Sequence, residues 1–189
     1  MTLSELDREF VAVGAAVGAG CHPCTQYHTG VALKAGLNVE QVLWAIDQAQ
    51  AVRANGGVAV ANVGRRILGV EQQEASALEP AACRYGALVA LGTATGCNSG
   101  VLLGEYAERA IELGLDGADL RETIDVAEAV KAMAGKFLLR DVERVLGRAV
   151  GPAEAAAPAG CGCAPGEAIA VGEAAAGGGA SGCGCGAEQ

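Results

Sequence analysis

At 189 residues, 51% of them hydrophobic and 19% charged, the chain has the length and make-up of a single domain with a real core. Aromatic residues amount to only 3%, so that core must be assembled from Ala, Val, Leu and Ile, which favours closely packed small-residue helices. A net charge of −9 without any basic run excludes nucleic acid and anionic membranes as general partners, and no run of about 20 uninterrupted apolar residues is present to span a bilayer.

Helical patterning extends from about Ser4 to Gly147, with no alternating strand. Ser4 is placed to cap a first helix whose stripe is Leu6, Phe10, Val13 and Val17. The apolar run from Phe10 to Ala19, followed by Gly20-Cys21, has the outline of an export signal. Its flank argues otherwise: Glu5, Asp7 and Glu9 outweigh Arg8 where a signal would be basic, and Gly18 stands where a lipoprotein signal has Leu. A cytoplasmic protein is therefore expected. Glu9 lies inside the apolar stripe, where a carboxylate is costly unless partnered, and an imidazole is one candidate.

Pro23 suits the first position of a second helix with His22 as its cap, because the amide hydrogen that proline lacks would be unpaired there. This helix is expected to reach about Ala35. Gly36 then supplies a left-handed residue, and Asn38 with Gln41 opens a third helix through a capping box.

The chain also matches itself weakly. A shift of 76 lays Gly20-Cys21 on Gly96-Cys97 and Val13 on Val89. A shift of 78 lays Leu33, Gly36-Leu37, Val42 and Ile46 on Ile111, Gly114-Leu115, Leu120 and Ile124. Two pseudo-repeats are expected, at about 4–70 and 80–148, within a helical domain 1–150. The second is expected to be chemically degenerate, with Tyr85, Gly100 and Gly104 in place of Glu9, Cys24 and His28. From 151 to 189 the composition turns to Ala, Gly and Pro with four Glu and no Lys, Arg or aromatic residue, too little apolar surface to offset ordering, so a disordered tail is expected.

The eight cysteines fall as Cys21/Cys24, the isolated Cys83 and Cys97, and the Cys-Gly-Cys pairs Cys161/Cys163 and Cys183/Cys185. In such a chain they point to thiol chemistry or metal binding rather than a structural disulfide framework. Cys21 and Cys24 can close a disulfide across one helical turn. Unpaired amides and the positive end of the helix dipole there can lower a thiol pKa from ~8.5 to roughly 3.5–7.5. His28, four residues after Cys24 on the same face, can move a proton to or from it. Cys21, His22, Cys24 and His28 could also be imagined as zinc ligands, but crowding within eight residues around Pro23 strains tetrahedral closure. Thr25 stands where a c-type haem motif needs histidine. Cys83 and Cys97 are expected to be small buried hydrophobes, and Trp44 and Tyr27 packing groups.

Glu9 followed by Cys21-x-x-Cys24-x-x-x-His28 and Gly36 resembles the motif of AhpD-like alkylhydroperoxidases, of the carboxymuconolactone decarboxylase family. The resemblance is good over Leu6 to Ile46 and faint over 81–134. It implies an all-α bundle, often doubled within a chain and assembled as a homo-oligomeric trimer or hexamer. It also implies a peroxidase or disulfide reductase in which Cys24 is oxidised to sulfenic acid, Cys21 resolves it to a disulfide, and Glu9 and His28 relay protons. No tightly bound cofactor is implied. Hydroperoxide or disulfide would be the substrate, and an external dithiol such as a lipoylated protein, or a peroxiredoxin, the redox partner. The family's decarboxylases lack the CxxC pair, which places lyase chemistry last. A rival from another class is a soft metal or metalloid binding protein, with Cys161, Cys163, Cys183 and Cys185 holding arsenite, copper(I) or mercury, since soft ligands select soft ions. The same pairs could instead re-reduce Cys21–Cys24 as a mobile dithiol.

Overall fold

The structure, a computed structural model, describes residues 3–75 and 82–149. Six helices account for it: α1 Glu5–Gly18, α2 His22–Lys34, α3 Val39–Ile67, α4 Arg84–Gly96, α5 Gly100–Glu112 and α6 Gly117–Leu146. No strand occurs among the described residues, so the architecture is an all-α bundle. None of these helices is long and apolar enough to cross a membrane.

The starts of α1, α3 and α6 are written locally. Ser4 accepts from the amide of Asp7 while Asp7 accepts from that of Ser4, both at 3.1 Å. Asn38 with Gln41, and Asp116 with Asp119, close the same reciprocal box. Each such cap contributes about 1 kcal/mol by occupying amides that the helix itself leaves unpaired. Arg84, the first residue of α4, then reaches Asp7 at 3.3 Å and Asp119 at 3.7 Å, joining three helix starts through one guanidinium.

α1, α2 and α3 repeat as α4, α5 and α6. Helices α2 and α5 are 78 residues apart at both ends, and the left-handed residues Gly20, Gly36 and Gly69 recur at the same interval as Asn98, Gly114 and Gly147. The interval is therefore 78 throughout, without the two-residue insertion that the match of Gly20-Cys21 to Gly96-Cys97 suggested. Turn geometry decides this. Asn98 adopts the positive φ of Gly20, and Ser99 caps α5 as Cys21 caps α2. Cys97 thus corresponds to Ala19.

The two halves meet where α1 crosses α4. A Cβ on Gly14 or on Gly18 would come within 3.0 Å of a backbone carbonyl oxygen of α4, that of Val89 or Thr93; one on Gly92 or Gly96 would do the same to Val11 or Ala15 of α1. These contacts are reciprocal under the 78-residue interval, as in an isologous interface. Around the crossing lie Val11, Val13, Leu88, Val89 and Leu91, all at most 1% exposed, so the core has the aliphatic, small-residue character that the composition requires. The C-terminal halves of α3 and α6 differ, leaving Val60, Val63, Ile67, Leu138, Val142 and Val145 exposed.

Candidate active site

α1 ends at Gly20, whose φ of +65° turns the chain sharply, and the amide of Cys21 donates back to the carbonyl of Ala16 at 3.1 Å. Cys21 takes extended backbone geometry and caps α2, its Sγ accepting from the amide of Cys24 at 3.2 Å. The cap is therefore Cys21 rather than His22. A sulfur at this position does what a Ser or Asp oxygen does elsewhere, and the helix starts one residue earlier. Pro23 becomes its second residue, still within the turn whose amides are unpaired, and Cys24 its third. Cys21 and Cys24 are joined by a disulfide with their Cα atoms 5.3 Å apart, and both are buried.

Glu9 on α1 and His28 on α2 face each other, Oε2 to Nδ1, at 3.5 Å. Both atoms are buried, and neither has a hydrogen-bond partner among the described residues. At that separation the contact is an electrostatic one rather than a well-formed hydrogen bond. The carboxylate within the apolar stripe thus finds the imidazole that its position called for. Tyr27 is 66% exposed and is no packing group, but its ring meets that of His28 edge-on at 5.1 Å. Trp44 does pack, edge-on against Phe10.

Cys24 and His28 line one cavity of about 430 Å³ together with Pro23 and Tyr27. The opposite wall is Ala129, Val130, Met133 and Phe137 of α6. Nothing near the cysteines in sequence announces these four residues. The only available signal was the apolar periodicity of a helix more than 100 residues downstream, which belongs to the other half of the chain. The arrangement can offer an apolar molecule a thiol and an imidazole at one spot. Among the described residues no group of His, Cys, Asp and Glu side chains is arranged to hold a metal ion.

The 78-residue interval also reassigns the second copy. Glu9, Cys24 and His28 correspond to Ala87, Leu102 and Tyr106, not to Tyr85, Gly100 and Gly104. Burial pushes the Tyr106 hydroxyl up to about 12, so it stays protonated near neutral pH. Cys97 is half-buried and burial raises its pKa too, against the weaker pull of Arg53 and Lys131. Cys83 departs from expectation: it is exposed, because it caps α4, and its side chain makes no cap hydrogen bond. Cys161, Cys163, Cys183 and Cys185 lie outside the described residues.

Comparison with known proteins bears on the first of the two repeats. The family model described as carboxymuconolactone decarboxylase family matches residues 2–64, which contain Glu9, Cys21, Cys24 and His28. No curated protein and no solved structure matches the chain.

Proposed function

With residues 2–64 belonging to the carboxymuconolactone decarboxylase family, we propose that the chain is a thiol peroxidase that reduces hydroperoxides through Cys24 and Cys21. The observation that carries this reading is the Cys21–Cys24 disulfide at the start of α2, sharing a cavity with His28, which is itself paired to Glu9. A decarboxylase has no use for a closed dithiol. A peroxidase cycles through one.

The cycle starts from the reduced pair, with Cys24 as thiolate in the field of the α2 amides. Its sulfur attacks the outer oxygen of ROOH, the O–O bond breaks, and the departing alkoxide takes a proton from His28 to leave as ROH. Cys24 is now a sulfenic acid. The thiol of Cys21 displaces its hydroxyl as water and forms the disulfide. An external dithiol then opens that bond by two exchange steps, becoming a disulfide itself.

His28 acts on the leaving group, and this gives a specific test. His28→Gln is expected to slow reduction of cumene hydroperoxide by about 10²-fold, the usual contribution of a positioned acid. With peracetic acid, whose leaving carboxylate hardly needs a proton, the deficit should shrink to a few-fold. An equal deficit with both oxidants in stopped-flow measurements would remove His28 from the proton path.

We propose further that the chain forms a homo-oligomer. Val60, Val63 and Ile67 on α3, with Leu138, Val142 and Val145 on α6, give exposed apolar stripes that single chains rarely leave uncovered. Sedimentation velocity should find an assembly that Val63→Glu together with Leu138→Glu dissociates. A monomer at all accessible concentrations rejects the proposal.

A further inference from the structure

A separate groove of about 580 Å³ lies between α2 and α3, lined by Val17, His22, Thr25, Ile46, Gln50 and Arg53. Its character emerges from its counterpart in the other half. At the 78-residue interval, Val17, Ile46, Gln50 and Arg53 become Thr95, Ile124, Glu128 and Lys131. Thr95, Ile124 and Glu128 line a smaller groove, of about 210 Å³. There the cation is neutralised within its own helix, Lys131 Nζ lying 3.0 Å from Glu128.

In the first half the acid is replaced by Gln50, and among the described residues no carboxylate pairs with Arg53. Among the described residues its guanidinium makes one hydrogen bond, Nη1 donating to the carbonyl of Val17 at 3.2 Å, at the end of α1. That bond uses one arm of a fork built to grip a planar anion with two. Room for the group is kept by Gly20, where a Cβ would come within 2.8 Å of Arg53 Nη2. Arg109, Arg121 and Arg144, by contrast, all pair with an acid three or four residues along their own helix. Arg65 and Arg140 also lack a carboxylate partner among the described residues, but neither lines this groove; Arg53 is set apart by lining it.

We propose that this groove binds a small carboxylate with an apolar body. Arg53 takes the carboxylate, the Gln50 amide supplies a further donor, and Val17 and Ile46 receive the body; the Thr25 hydroxyl at the groove wall is spent on the Cys21 carbonyl at 3.0 Å. The site stands independently of the chemistry at Cys24.

Titration calorimetry of hexanoate into the oxidised full-length protein tests this, with hexan-1-ol as the uncharged control. One hexanoate per chain should bind, more weakly as salt rises. Gln50→Glu rebuilds the ion pair of the second half, keeps Arg53 and its bond to Val17, and sits on an exposed helix surface, so folding is not at issue. It should weaken hexanoate by at least about tenfold, as should Arg53→Gln. Hexanoate binding is read with neither peroxide nor reductant present, so its failure and the failure of the peroxidase reading are distinguishable. Equal binding of hexan-1-ol, undiminished binding in Gln50→Glu, or no binding of hexanoate up to its solubility limit overturns the proposal.

Discussion

Replacing Cys24 with serine is expected to lower turnover of cumene hydroperoxide, with dihydrolipoamide as reductant, by at least about a thousandfold, the scale on which loss of a nucleophile is felt. Serine keeps the size of the side chain and its place in the first turn of α2, so the helix and the cavity persist. What disappears is a sulfur that can accept the peroxide oxygen. Cys21→Ser separates the two thiols. Cys24 can still attack once, but no neighbour condenses with the sulfenic acid. One equivalent of peroxide should then be consumed in a single burst, and the product should be trapped by dimedone on Cys24 and located by mass spectrometry. If Cys24→Ser turns over normally, or if the burst and the adduct survive in Cys24→Ser but vanish in Cys21→Ser, the roles of the two sulfurs are reversed or the chemistry lies elsewhere.

The second large effect is on stability. Gly92→Ala is expected to cost about 3 kcal/mol, even though alanine is intrinsically better than glycine in a helix by about 1 kcal/mol. Its Cβ would press on the backbone carbonyl of Val11, which cannot rotate away as a side-chain end could. The helices α1 and α4 would have to part, loosening the side chains packed around their crossing. For a domain of this size the midpoint of thermal unfolding should drop by roughly 10 °C. Gly135→Ala is the control. It lies within α6 with open space around the new Cβ, so it should hold or raise stability by about 0.5–1 kcal/mol. Calorimetric melts of the two variants that move in the same direction would show that the crossing is not backbone-limited.

Much of this was legible in the sequence because it is local. Ser4 as a cap and Asn38 with Gln41 as a capping box set helix starts within a few residues, and Cys24 with His28 is a one-turn relation; that Asp7 closes the box on Ser4 is added by the structure. Glu9 could be matched to an imidazole because a buried carboxylate demands a partner and His28 is one of only two histidines in the chain. The register of the second half was misread because Gly96-Cys97 repeats the residue names of Gly20-Cys21 without repeating their conformation. Backbone geometry follows Asn98 and Ser99, and asparagine is the residue other than glycine that most readily takes positive φ. The α6 wall of the cavity was marked only by apolar periodicity, since Met133 and Phe137 lie more than 100 residues from Cys24 in sequence and meet it only because α6 packs beside α2. Cys83 was assigned to the interior on residue type alone, whereas its place is decided by the turn it caps.

The crossing of α1 and α4 carries a further consequence. Each half of the chain completes its core against the other through mirrored contacts, so the molecule is a two-subunit complex held by a covalent tether. Such a pair does not come apart on dilution, because the tether fixes the effective concentration of one half around the other. It also removes the requirement that both halves stay identical. One half can keep the cysteines while its twin, freed from chemistry, gives them Met133 and Phe137 to work against.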